Sequence, residues 1–513
     1  MNEGAQIDHE IVIIGAGLAG LGMAAKLGQK GFDYRIVDAA SGIGGTWWVN
    51  RYPGIGVDAS TFSYSFSYYP NPDWTKLYAL GDELQRYTED FAEHFGITKN
   101  IQFNTRVDLA EYDEENQLWR LHIEGGSTLC CRYLIGGWGG LTTPSYPDIS
   151  GIDDFRGAMF HTARWKEGHS LQGERVGIIG TGASAVQVVP AIAPEVAKLV
   201  VFQRTPVWVM PRPDANIPAF ARSLFRRVPI TQRLLRYAFG LLGEAVFIWP
   251  LLRPKYVMPW VHALEKAGRR YIRREVSDPD LVRKLTPQYG FGCKRPTMSN
   301  TYLGTFNRSN VELVTDAIVR ITEVGVETAD GSVHEFDTLV LGTGFKILKA
   351  DGTPPLPIRG RGGVDLGEHW DATRYKAYHG VSVPGFPNMF IAGWAPYGLA
   401  GPSYIFTVET NVQHIMRCLL EARRRGAVEV EVGTAAHDRY FDHISKKSQS
   451  TAMIVNNCGG SNSYYQDRHG DASVIRPDTS ATMWLKARIF PLSDYRYTPA
   501  ADVGRQLVLK SGF

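Results

Sequence analysis

The stretch Ile11-Val12-Ile13-Ile14-Gly15-Ala16-Gly17-Leu18-Ala19-Gly20 decides the fold. Four consecutive apolar residues suit a strand buried on both faces, and they run into three glycines spaced GxGxxG. Leu21, Ala24, Ala25 and Leu27 then give one apolar helix face for packing on a sheet. In such a unit Gly15 permits the tight turn, Gly17 lets the backbone approach a pyrophosphate, and Gly20 lets helix and strand pack closely. The helix N-terminus adds free N–H groups and the positive end of its dipole. A second strand, Tyr34-Arg35-Ile36-Val37, ends in Asp38, where a carboxylate accepts hydrogen bonds from a ribose diol. A dinucleotide site is predicted; the alternative is a glycine turn with only a structural role.

Val176-Gly177-Ile178-Ile179-Gly180-Thr181-Gly182-Ala183-Ser184-Ala185 repeats the plan, with Ala185 in the third small position. Gly180, Thr181, Gly182, Ser184, Ala185 and Gln187 are its candidate contacts. After the next strand, Leu199 to Phe202, the acid is replaced by Gln203-Arg204-Thr205. A carboxylate there repels a 2′-phosphate, whereas a guanidinium binds one through charge-assisted hydrogen bonds, so this site predicts NADPH over NADH. The competing reading of Arg204 is a surface arginine at a strand end.

Around these landmarks the 513 residues imply two or three domains. A hydrophobic fraction of 44% and a charged fraction of 21% are those of a folded globular protein, and a net charge of +3 is too small for a nucleic-acid footprint. Five cysteines with no CxxC pair argue against a disulfide framework or a zinc site and suit a reducing compartment, and no metal site is expected. The segment Met1 to Glu10 is short and polar, unlike a signal peptide, so the expected location is cytoplasmic. Ile101 to Leu134 alternates apolar and polar residues, which predicts an antiparallel addition to the first unit. The fold expected is α/β, with two Rossmann-like dinucleotide-binding domains. One is discontinuous, residues 1–145 and 335–513; the other spans 155–330 and carries a helical insertion at about 212–288.

Two nucleotide sites alone fit a disulfide reductase, an NADPH oxidase or a monooxygenase. No CxxxxC follows the first glycine turn, which leaves the reductase without support. The segment Gly44-Gly45-Thr46-Trp47-Trp48-Val49-Asn50-Arg51-Tyr52-Pro53-Gly54-Ile55-Gly56-Val57-Asp58 resembles the long signature of the Baeyer–Villiger monooxygenases, class B flavin-dependent monooxygenases. Phe155, Gly157, His161 and Trp165 are similar to that family's shorter fingerprint, FxGxxxHxxxW; Lys166 departs from the Pro or Asp that follows. Further similarity runs through Gly292-Cys293-Lys294-Arg295-Pro296 and Gly342-Thr343-Gly344-Phe345. Gly136-Gly137-Trp138-Gly139-Gly140 is richer in glycine than that pattern.

The resemblance implies FAD on the first site and NADPH on the second. It implies insertion of one atom of O2 beside the carbonyl of a small hydrophobic ketone, giving an ester or lactone through a C4a-peroxyflavin. Arg295 would lie over the flavin and Asp58 behind it. A fixed guanidinium stabilises an anionic peroxide and the oxyanion of its adduct, and Asp58 would hold that guanidinium in place. Gly45, Thr46, Trp47, Asp58, Tyr64 and backbone near Val107 would contact FAD; Lys294 would join Arg204 and Thr205 on the NADPH phosphate. The rival activities are S- or N-oxygenation, NADPH oxidation without product, and nucleotide sensing. His161, beside a domain linker, reads as a structural histidine.

Between Ile217 and Glu275 stand twelve Lys/Arg against three Glu. Leu224, Phe225, Leu234, Leu235, Phe239, Leu241 and Leu242 could form an apolar face beside Arg226, Arg227, Arg233 and Arg236. Such a face is either solvated and packed on its own domain or set on a membrane surface. Trp208, Trp249, Trp260, Trp394, Tyr397, Tyr404, Tyr464 and Tyr465 offer aromatic surface for substrate or core. Oligomeric state and the particular ketone are not legible.

Overall fold

A computed structural model describes residues 7–399, 401 and 403–500. The ends of the expected first domain, 1–6 and 501–513, and most of the Met1–Glu10 segment lie outside the described residues. Strand His9–Ile14 is central to the first sheet, parallel to Tyr34–Val37 on one side and to Thr128–Gly136 on the other. Ile11, Val12 and Ile13 are fully buried, the burial on both faces that their continuous apolar run demands. Each such side chain contributes roughly 1.5–3 kcal/mol relative to exposure. The hairpins of Val107–Asp113, Leu118–Ile123 and Thr128–Gly136 extend this sheet antiparallel. Helix Leu18–Gln29 covers one face and shares its core with the long helix Tyr404–Arg425.

The second sheet is wholly parallel, in the order Val311–Val314, Lys198–Phe202, Arg175–Ile179, Thr338–Leu341, Ala158–His161. Strand Thr338–Leu341 therefore belongs to the second unit. The chain returns to the first sheet only beyond it, with Ile358–Arg359 and Met389–Ile391, and the boundary expected at 335 is too early. An apolar run marks a buried parallel strand, but its composition does not say which of two similar sheets it enters. The crossing is tied by a bridge between Pro144 on the outgoing segment and Phe345 on the returning one.

Between Lys198–Phe202 and Val311–Val314 the chain makes a helical excursion, with helices Ala219–Arg227, Pro229–Gly243, Pro254–Glu275 and Pro279–Leu285. Three of these begin with proline, whose missing N–H costs nothing in a first turn. The excursion is fastened to the first unit. Buried Gln232 donates to the Asn71 carbonyl, Arg236 donates to the carbonyls of Phe62 and Ser65 and lies 3.6 Å from Glu409, and Phe239 stacks on Phe62.

Candidate active site

Both glycine turns open into one cavity of about 1910 Å³ between the two sheets and the helical excursion. On the first side a Cβ at Gly17 would stand 3.5 Å from Gly45 Cα, and one at Gly45 would stand 3.0 Å from Gly17 Cα. Side chains there would fill the cradle, and their absence leaves backbone facing the cavity, as a pyrophosphate requires. Asp38 accepts N–H bonds from Ala16 at 2.6 Å and Ala40 at 2.7 Å, so the acid is locked to the turn it serves. Burial raises its pKa against the pull of those two amides. Trp47, Tyr64 and Val107 line the same space, with the Trp47 and Tyr64 rings edge to face at 5.8 Å. These residues fit a flavin dinucleotide.

On the second side Gly180 has φ +115°, and a Cβ at Gly182 would meet nothing within 4 Å, so that turn borders open cavity. Thr181 donates to the Thr205 carbonyl at 3.0 Å, setting the segment that carries Arg204 beside the turn. Lys294 comes to the same place from a loop some ninety residues on. Burial, and then the nearby Arg204 charge, lowers its pKa to about 8. Two cations brought together beside this turn fit a phosphate. Gln187 and Ser184 sit at the seam. The Gln187 amide donates to the Gly56 carbonyl at 2.9 Å and accepts from Tyr52 at 3.0 Å. Burial pushes the Tyr52 hydroxyl up to about 12, opposed by a hydrogen bond with Ser184.

Asp58 and Arg295, 237 positions apart in sequence, form an ion pair of 2.9 Å in this cavity. Their side chains are 54% and 40% exposed for Arg295 and Asp58, to the cavity rather than to an open face. The Asp58 carboxylate raises the guanidinium pKa above its ordinary value, with smaller help from Tyr465, Tyr464 and Tyr64. The loop that carries Arg295 is joined to the segment 456–466 by a disulfide, Cys293–Cys458, with Cα atoms 5.3 Å apart. This overturns the expectation drawn from cysteine spacing, and with it the use of cysteine count as a sign of a reducing compartment. A pairing across 165 residues leaves no spacing signal. The same segment supplies Asn462, whose amide donates to the Thr205 hydroxyl at 2.9 Å. Nothing in the sequence pointed to Asn462.

Trp394, Tyr404, Tyr464 and Tyr465 line the cavity, whereas Trp208 and Tyr397 are fully buried core. The glycine run 136–140 has a packing reason: side chains at Gly136 and Gly140 would overlap the rings of Trp138 and Trp394. His161 is buried, accepts from Ala163 N–H at 3.0 Å, and lies against Tyr146 and Phe345 of the two crossing segments. Its place is that of a linker brace. Lys166, the departure from the shorter fingerprint, is exposed.

Two dinucleotide cradles sharing one cavity with a buttressed guanidinium define a flavoprotein oxidoreductase that takes reducing power from a nicotinamide. The flavin-binding monooxygenase-like family matches residues 8–230. A Baeyer–Villiger monooxygenase of Pseudomonas aeruginosa is 36% identical over 450 residues, covering 88% of this chain and 84% of that protein. Cyclohexanone monooxygenase from Rhodococcus sp. Phi1 bound to NADP+ superposes with a TM-score of 0.84 at 27% identity, covering 96% of this chain and 99% of that one. OTEMO in complex with FAD and NADP gives 0.82 at 26% identity, covering 96% and 100%. The chain belongs to the Baeyer–Villiger monooxygenases, enzymes that use FAD, NADPH and O2 to insert an oxygen atom beside a ketone carbonyl.

Proposed function

We propose that Arg295 is the catalytic cation of this oxygenation and Asp58 the residue that positions it. The observation that carries the reading is their 2.9 Å ion pair inside the cavity onto which both glycine turns open. A guanidinium has five N–H donors. The recorded bond to Asp58 uses Arg295 Nη2. Arg295 lines the cavity, where its other donors would stabilise the negative charge that develops on a carbonyl oxygen. Fixed donors aimed at such charge cost no reorganisation during the reaction.

In this reading the first unit, 1–145 with the residues after the second sheet, holds FAD through Gly15, Gly17, Gly20, Asp38, Gly45, Thr46, Trp47, Tyr64 and Val107. The second unit, 155 to Leu341, holds NADPH through Gly180, Thr181, Gly182, Ser184, Ala185 and Gln187, with Arg204, Thr205 and Lys294 on the 2′-phosphate. FAD supplies oxygen activation and NADPH the hydride. The chain supplies position and charge. The aromatic lining of Trp394, Tyr404, Tyr464 and Tyr465 supports a small hydrophobic ketone as substrate.

The test is Arg295→Ala in the FAD-loaded enzyme. Stopped-flow reduction by NADPH should stay within a few-fold of wild type, while conversion of a cyclic ketone to lactone falls by about 10²–10³, the loss typical of one oxyanion donor. Normal lactone formation removes Arg295 from its role. A thioether assayed in parallel separates ketone from sulfur oxygenation.

A further inference from the structure

The outer face of the helical excursion is apolar and uncovered. In Pro229–Gly243, Ile230, Leu234, Tyr237 and Leu241 recur at i, i+4, i+7 and i+11, one stripe of an α-helix, and are 55–70% exposed. The preceding helix adds exposed Phe220 and Leu224. Single exposed apolar residues need no explanation, but a stripe continued on a second helix does. The opposite side of Pro229–Gly243 is already occupied through Gln232, Arg236 and Phe239. Pro229–Leu252 is long and apolar enough to cross a membrane, yet only 6% of its most apolar window is buried. Gln232, Arg236 and Phe239 tie its first half to the first unit, an arrangement that favours a helix lying on a surface over one that crosses. Trp249, Tyr256 and Trp260 are exposed further along, and such rings suit the depth of lipid headgroups.

Charge selects the occupant. Residues 217–275 carry twelve Lys/Arg and three Glu in a chain of net charge +3. Arg227 and Arg233, on the two helices of the stripe, are exposed and form no ion pair among the described residues. A second copy would press two strongly cationic faces together, whereas an anionic lipid surface offers counter-charge and an apolar interior at once.

We propose that helices Ala219–Arg227 and Pro229–Gly243 seat this protein on an anionic lipid bilayer surface. The Ile230–Leu241 stripe enters the acyl boundary, and Arg227 and Arg233 meet the phosphates. Phe239 and Leu242 of the same helix line the cavity, so the seated face lies about one helix diameter, ~10 Å, from the space for an apolar substrate.

The full-length FAD-loaded protein should co-sediment with vesicles of phosphatidylcholine and phosphatidylglycerol about tenfold more tightly than with phosphatidylcholine alone, and less tightly in high salt. The double variant Leu234→Glu, Leu241→Glu should lose at least about a hundredfold in vesicle affinity while keeping flavin content and NADPH oxidation. Arg227→Ser with Arg233→Ser should erase the lipid-charge preference and leave the fold untouched. Three results overturn the proposal: no binding of the wild type to anionic vesicles, undiminished binding of the Glu variant, or a dimer by light scattering that the Glu substitutions dissociate.

Discussion

Raising the pH from 7 to 9 should weaken NADPH binding about tenfold while leaving NADH binding nearly unchanged, because Lys294 loses its proton in that interval. Burial and the neighbouring Arg204 lower the Lys294 pKa to about 8. The ammonium is then about nine-tenths protonated at pH 7 and about one-tenth at pH 9, a ratio of about ten. The other groups that could meet the 2′-phosphate do not titrate there. An arginine stays charged, burial raises the hydroxyl pKa of nearby Tyr289, and a phosphate monoester is already dianionic above about pH 6. A charge-assisted hydrogen bond contributes about 1.5–3 kcal/mol, so one lysine can supply the effect. The assay is titration of the FAD-loaded enzyme with NADP⁺ and NAD⁺ across this range at constant ionic strength. Lys294→Met should flatten the NADP⁺ curve near the wild-type high-pH value. A ratio of the two affinities constant from pH 7 to 9, or a slope that survives Lys294→Met, refutes the assignment of Lys294 to the phosphate.

Two further outcomes test the frame around the site. Burial pushes the His161 pKa down to about 4, below the roughly 6.5 of an unfolded chain, so its share of stability is present above pH 6.5 and is lost as pH falls toward 4. That share is roughly 3 kcal/mol; denaturant titrations of His161→Gln should show a shallower acid limb by about this amount, and an unchanged limb would deny His161 the neutral, bracing role. Cys293→Ser should lower stability by about 2–4 kcal/mol and, through the Asn462 bond to Thr205, raise KM for NADPH more than KM for ketone. Cys458→Ser should do the same without adding to it, and additive effects in the double variant would mean the two cysteines act separately.

What the sequence disclosed is what local backbone chemistry demands. A turn that must approach a phosphate needs its small residues at fixed spacing, so Gly15, Gly17, Gly180 and Gly182 were legible, and so were the strand ends at Asp38 and Arg204. Asp58 and Arg295 entered through a resemblance, and the structure brings both into one cavity. The features missed depend on chain segments that meet only after folding. Cys293 finds Cys458, Gln187 reaches Gly56, and Asn462 reaches Thr205, each across more than a hundred residues. The sheet membership of Thr338–Leu341 failed for a related reason, since two sheets built on one plan accept the same apolar strand.

The ion pair at the centre is arranged for direction and adds little cohesion. Both partners are about half exposed to the cavity, and pairs in such surroundings contribute about 0–1 kcal/mol. Stability therefore gives no reason to bring these two charges together across the seam. Asp58 ends the segment that Gln187 and Tyr52 clamp to the second unit, and Arg295 leaves a loop held by the disulfide at Cys293. Each charge is thus fixed by contacts stronger than the pair itself. Arg295 meets a carboxylate of the first unit and follows a disulfide-held cysteine by two positions, so its placement depends on how the two units are joined. If Arg295 is the catalytic cation proposed above, the contacts that join the units also set the oxygenating site, and loosening them should lower ketone oxygenation more than flavin content.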